Sequence, residues 1–165
     1  MLQRLKNKVK DQRGLTLIEL LAVIVILGII AAIAIPSVLG IIDNTKKDAH
    51  VANAQELVSA ARVAVSQNTS LQGTGTEYLT LGYLVGQNLL DTVKDPDNTS
   101  GGYLDGGSSA TAAPQTTVPT TGSYVVVANG KVTQVKLVNG TRGVQSAATN
   151  GTSVSVDSLS RSSVN

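Results

Sequence analysis

The sequence lacks cysteine, phenylalanine and tryptophan, and it has one histidine and four tyrosines. Without cysteine, neither a disulfide nor thiol chemistry is available to the chain. The single histidine, His50, supplies neither a histidine-based zinc site nor a Ser-His-Asp triad, and we expect it to be solvated on a polar helix face. With only four tyrosines and no other large aromatic ring, the chain offers little surface on which a nucleobase can stack. Direct nucleic-acid binding is therefore not predicted.

Charge is missing from a long apolar run near the N-terminus. Sixteen apolar residues follow Glu19 without a break, from Leu20 to Ile35. As an α-helix, residues 15–35 span about 32 Å, which matches a bilayer core of about 30 Å. Glu19 puts a carboxylate into this stretch at a cost of about 2.5–3.5 kcal/mol, so it needs a partner. The segment therefore predicts a transmembrane helix with a functional acid.

A basic leader precedes the apolar run. Residues 1–14 carry five basic side chains and one acidic side chain, which predicts a cytoplasmic N-terminus. The remaining residues hold 8 basic and 10 acidic side chains, so the basic pI of the whole chain is a property of the leader and does not indicate nucleic-acid binding. The basic residues of the leader are Arg4, Lys6, Lys8, Lys10 and Arg13.

The hexapeptide Gly14–Glu19, between a short basic leader and an apolar helix, resembles the signature of type IV pilin and pseudopilin precursors. The resemblance implies that a prepilin peptidase cuts between Gly14 and Leu15 and that the new N-terminus is methylated. It also implies a homopolymer in which Glu19 directs assembly, with an assembly ATPase, a membrane platform protein and minor pilins as partners. Leu15 departs from the usual Phe, but Leu is tolerated at this position. The absence of cysteine suggests a Gram-positive-like member.

The same resemblance implies a location and a role. Before assembly the protein is expected to be a single-pass membrane protein with a cytoplasmic N-terminus, and afterwards a cell-surface or extracellular filament. We expect a structural subunit and not an enzyme. Such subunits serve adhesion, motility, DNA uptake in competence, or protein secretion through type II secretion pseudopili, and the signature is common to all of these uses.

Two other interpretations of the N-terminal segment remain open. An ordinary secretory signal peptide would be cut after Ala34, although Glu19 inside its apolar region argues against that. A single-span anchor that carries a membrane-tethered binding module or adhesin needs neither cleavage after Gly14 nor a buried acid. The mature N-terminus distinguishes the three, since prepilin cleavage leaves Leu15, signal-peptide cleavage leaves Ile35, and an uncut anchor keeps Met1.

The helix is predicted to continue beyond the apolar run in two halves. Residues 15–36 form the transmembrane or filament-core half, in which Gly28 and Pro36 predict a bend or local unwinding. Residues 37–67 form an amphipathic half, because Val51, Ala54 and Val58 begin a series of apolar residues at three- and four-residue steps.

The remainder predicts an α+β fold of the pilin-like lollipop type, in which a small antiparallel β-sheet packs on the amphipathic half of the helix. Residues 68–122 are expected to be a connecting loop region with a short helix near Leu81–Leu90. Residues 123–165 are expected to be an antiparallel β-meander, with a hairpin turn at Asn129-Gly130 because this dipeptide favours the left-handed backbone of a tight turn.

Acidic residues in the connecting region raise the question of a metal. Asp95, Asp97 and Asp105 are candidate calcium ligands, and the secretion branch of the family binds calcium in a loop of this kind. Their spacing is not that of an EF-hand, and acidic residues are common in turns. We therefore expect no cofactor, with calcium as the alternative.

Overall fold

The structure is a computed structural model that describes residues 2–106 and 113–165, with side chains from Leu17 onward. It forms two compact units, Met1–Asp43 and Asn44–Asn165. The elements are the helices α1 (Leu2–Gln67) and α2 (Leu81–Gly86) and the strands β1 (Thr76–Thr80), β2 (Tyr124–Ala128), β3 (Lys131–Val138), β4 (Gly143–Val144) and β5 (Val154–Ser155). Short 3-10 helices lie at Thr69–Gln72, Val156–Ser158 and Arg161–Ser163.

The first unit consists of the N-terminal part of α1. Every residue between Gly28 and Pro36 is helical, so local unwinding is not seen in the single chain, and a bend stays a prediction. A proline removes one main-chain hydrogen bond of the helix, and the flanking turns maintain the helix on both sides of it.

The core of the second unit lies between the last part of α1 and the sheet, as predicted. Leu57 and Ala61 are fully buried, and small side chains dominate the packed face of the helix, which lets the backbone approach the sheet closely. The buried apolar residues of this face are Ala54, Leu57, Val58, Ala60, Ala61, Ala64 and Val65. From the sheet, Leu79, Val125, Val135 and Leu137 meet them at 0% exposure.

The sheet is antiparallel with the order β1-β2-β3-β4, and β5 pairs with β3 as well. The predicted hairpin between β2 and β3 is confirmed, with both turn residues in the left-handed region (φ of 50° at Asn129 and 73° at Gly130). One half of β3 pairs with β5 at Gln134 and Val135, and the other half pairs with β4. The C-terminal part is therefore a branched sheet and not a simple meander.

The sheet also begins earlier in the chain than predicted. Strand β1 lies in the region expected to be loop with a short helix, and it pairs with β2 along its whole length. On the other side, Tyr78 exchanges two main-chain hydrogen bonds with Gln115, at 2.7 and 3.0 Å. The short helix is present as α2, in which the Thr80 hydroxyl accepts a hydrogen bond from the Tyr83 amide at the N-terminus.

Candidate functional site

The N-terminal segment places Glu19 on an exposed apolar stretch of α1. The large apolar side chains between Leu17 and Ile42 are 47–73% exposed, and Glu19 is exposed among them. Gly14 and Leu15 belong to α1, but their side chains lie outside the described residues. Monomeric soluble proteins rarely expose a continuous apolar surface of this extent. Something outside the single chain must therefore cover this helix.

The same segment meets the requirements for crossing a membrane. Among the described residues, one helix is long and apolar enough for this, and it lies near the N-terminus. Lipid is accordingly one environment that can cover the apolar side chains, and helices of other subunits are a second.

Comparison with protein families matches residues 9–35 to a model described as the prokaryotic N-terminal methylation motif. The chain has the N-terminal signature of a type IV pilin-like prepilin. The match covers the end of the predicted leader, the Gly14–Glu19 hexapeptide and the apolar run up to Ile35. It points to a structural protein with a membrane-anchoring helix, and it gives no support to a Gram-positive origin. No solved structure matches the chain.

The second unit contains a polar cluster centred on Asp97, here called the Asp97 cluster. Its members come from three places: one face of α1, the loop between α2 and β2, and the turn between β3 and β4. They are Lys46, His50, Asn53, Asp95, Asp97, Tyr103, Asn139 and Arg142. The three residues on α1 are spaced by four and three positions, which places them on one face of the helix.

Asp97 is the centre of charge in the cluster. Arg142 binds both of its carboxylate oxygens, from Nη2 to Oδ1 and from Nε to Oδ2, each at 2.8 Å. His50 Nε2 lies 2.9 Å from Oδ2, and Lys46 Nζ lies 3.5 Å from Oδ1. The hydrogen bonds from Arg142, followed by that from His50, hold the pKa of Asp97 far below its usual value against the opposing effect of burial. Asp97 is therefore ionised at neutral pH.

Asp95 shapes the loop that carries Asp97. It is 5% exposed, and burial alone would raise its pKa, but hydrogen bonds from Thr99 and Asn139 outweigh this and lower the pKa. One carboxylate oxygen accepts from the Asp97 amide at 3.0 Å and the other from the Thr99 amide at 3.0 Å. Asp95 thus satisfies the main chain of its own turn, as acidic residues commonly do.

The prediction for His50 is wrong. His50 is 0% exposed and lies between Asp97 and Tyr103, with its Nδ1 atom 2.7 Å from the Tyr103 hydroxyl. A signal for this was present in the sequence, because His50, Ala54 and Leu57 follow one another at helical spacing on the buried stripe. His50 is therefore a polar member at the start of the buried stripe, directly before Val51, at which the predicted apolar series begins.

The three candidate calcium ligands do not all lie together in the structure. Asp95 and Asp97 come together, and with His50 they offer one ligand atom each within 4.8 Å of one another. Asp105 lies instead beside α2, where its carbonyl oxygen accepts a hydrogen bond from the Gly82 amide at 3.0 Å. Arg142 and Asn139, which complete the cluster, were not predicted, since nothing near them in the sequence relates them to Asp97.

Acid is expected to weaken the second unit through Asp97. The lowered pKa means that its contribution to stability is complete above about pH 4, where the unfolded carboxyl also ionises, and is lost as the pH falls below that value. We expect the thermal midpoint to fall more between pH 7 and pH 3 in the wild type than in Asp97→Asn, which has no carboxyl at this position. Equal losses in both proteins would assign the acid sensitivity to other groups.

Proposed function

We propose that the protein is a structural subunit of a type IV pilus-like filament, processed by a prepilin peptidase and polymerised through its N-terminal helix. Cleavage between Gly14 and Leu15 removes the basic leader, and the new N-terminus is methylated. An assembly ATPase, a membrane platform protein and minor pilins are the partners that this process requires. The methylation motif at residues 9–35 supports the proposal.

The observation that carries the proposal is the exposed apolar helix with one acid near its start. A membrane anchor alone explains the exposed side chains from Leu17 onward, but it gives no reason for Glu19, which is costly in lipid. A filament core explains both, because neighbouring helices cover the apolar side chains and a positive charge on a neighbour offsets the carboxylate.

Cleavage supplies that positive charge. It frees an α-amino group at Leu15, four residues before Glu19, in the same apolar environment. An ammonium group on one subunit then pairs with Glu19 of the next. A subunit in the wrong axial position leaves both charges unpaired in low dielectric, at a cost of several kcal/mol. Glu19 therefore fixes the register of the polymer as well as its cohesion.

The subunit occupies two locations in succession. The positive leader keeps the N-terminus in the cytoplasm while the apolar part of α1, residues 15–36, spans the membrane, and the residues that follow lie outside. Assembly moves the apolar helix from lipid into the filament core, and the filament is displayed at the cell surface. The apolar side chains stay out of water throughout this transfer, because lipid and the filament core are both apolar.

The mature N-terminus is the direct test. We expect intact-mass measurement and N-terminal sequencing of the protein from its own cells to give a chain that starts at a methylated Leu15. A chain that starts at Ile35 would indicate an ordinary signal peptide. A functional chain that keeps Met1 would indicate an uncleaved membrane-tethered module, and either result would contradict the proposal.

A further inference from the structure

The Asp97 cluster has the composition of a metal site, but its oxygen atoms are already bound by the protein's own donors. Both oxygens of Asp97 are held by the Arg142 guanidinium at 2.8 Å. Both oxygens of Asp95 accept hydrogen bonds, from the Asp97 amide and the Asn139 side chain on one side and from Thr99 on the other. Calcium needs six to eight oxygen ligands at about 2.3–2.6 Å. The residues as placed do not fit it.

Both ring nitrogen atoms of His50 also have hydrogen-bond partners within the protein. Asn53 donates to the Tyr103 oxygen at 3.0 Å, so the Tyr103 hydroxyl has its own hydrogen available for His50 Nδ1, 2.7 Å away. Burial raises the pKa of Tyr103, so that hydroxyl stays a donor. This arrangement fixes the imidazole hydrogen on Nε2, which donates to Asp97 at 2.9 Å. Neither ring nitrogen of His50 then offers a lone pair to a metal, because one donates a hydrogen bond and the other accepts one.

Charge in the cluster is balanced without a metal. Asp95 and Asp97 supply two negative charges, and Arg142 and Lys46 supply two positive charges. Arg142 is also fixed by its own main chain, because its amide donates to the Asn139 side chain at 2.7 Å, and the same side chain donates to Asp95 at 2.9 Å. The turn that carries Arg142 is therefore held in place, and the planar guanidinium meets both oxygens of Asp97 as a two-pronged fork.

We propose that Arg142 takes the place of a metal ion in the second unit. Its guanidinium joins the turn between β3 and β4 to the loop of Asp95 and Asp97, and through His50 to α1. The unit therefore folds without a divalent cation.

The test is the thermal midpoint of the full chain in detergent, with EDTA, Ca²⁺ or Zn²⁺. It is followed by near-ultraviolet circular dichroism, because all four tyrosines lie beyond residue 43 and report on the second unit. The wild type is expected to keep its midpoint under all three conditions. Arg142→Ala is expected to lose at least about 10 °C in EDTA, because it leaves a largely buried carboxylate without its main partner.

A matched control is available in the same unit. Arg161 forms a comparable two-pronged ion pair with Asp48, but both side chains are half exposed. Arg161→Ala is therefore expected to leave the midpoint unchanged within the scatter of the measurement, with or without Zn²⁺.

Two results would overturn the proposal. The first is a wild-type midpoint that falls in EDTA and returns with Ca²⁺, whatever the variants do. The second is an Arg142→Ala protein as stable as Arg161→Ala. If Arg142→Ala is unfolded under every condition while Arg161→Ala is folded, the wild-type midpoint in EDTA decides the proposal: an unchanged midpoint supports it and a lowered one opposes it.

Discussion

Replacing Glu19 by alanine is expected to yield a cleaved protein that remains in the membrane and forms no filaments. The apolar helix still inserts, because the substitution makes it more apolar. Cleavage is expected to proceed, because the bond between Gly14 and Leu15 is untouched. Assembly is expected to fail because, in the proposed filament, the ammonium of Leu15 on each subunit has no carboxylate to meet, and a buried unpaired charge costs several kcal/mol. Immunoblots report the mature form, and electron microscopy of sheared cells reports the filaments.

Two further variants make this result specific. Glu19→Gln keeps the size of the side chain and removes the charge, so the same failure assigns the effect to charge. Glu56→Ala removes an exposed acid from the helix in the second unit and is expected to assemble normally. Filaments of normal number and length from Glu19→Ala would contradict the proposed role.

Replacing Gly143 by alanine is expected to destabilise the second unit by about 3 kcal/mol, the upper end for an overpacked core. Gly143 is the first residue of β4, and it lies between β3 and the C-terminal segment, where it exchanges two main-chain hydrogen bonds with Asn165 at 3.0 Å. A methyl group there would overlap the Leu137 carbonyl oxygen and lie 2.6 Å from the Val138 Cα atom. These are main-chain atoms in a paired strand, so they cannot rotate away from the added methyl group as a side chain could.

Gly140 offers the matched control, three residues earlier in the same turn. A methyl group added there meets no atom within 4 Å, so Gly140→Ala is expected to change stability by less than about 0.5 kcal/mol. Urea unfolding of both proteins at pH 7 measures the difference. A Gly143→Ala protein as stable as Gly140→Ala would mean that β4 can move away from β3 without loss.

The features that could be predicted from the sequence are those set by neighbouring residues. The N-terminal signature is a continuous run, the long helix follows from apolar spacing, and the hairpin at Asn129-Gly130 follows from the backbone preferences of two residues. Each of these requires knowledge of only a few positions along the chain. The α+β fold followed from them, since a lone small sheet requires a helix to cover its apolar face.

The features that could not be predicted depend on residues far apart. Strand β1 has five residues, and its partner β2 begins 44 positions after β1 ends, so pattern alone does not pair them. The sequence predicts a solvated His50 because the residues next to it on the helix are polar, whereas its partner Asp97 lies far away along the chain. Asp97 comes 47 residues later, and Arg142 lies 45 residues beyond Asp97. No local preference relates such positions, since only the completed fold brings them together.

These distances also determine when the subunit can mature. The helix that carries His50 is made first, but the side chains that accept and donate to it arrive 47 and 53 residues later. A chain that ends before Asp97 therefore leaves His50 and a row of alanines on α1 open to water. Closure of the second unit must wait until Arg142 has been added to the chain, so the helix stays uncovered for most of its synthesis.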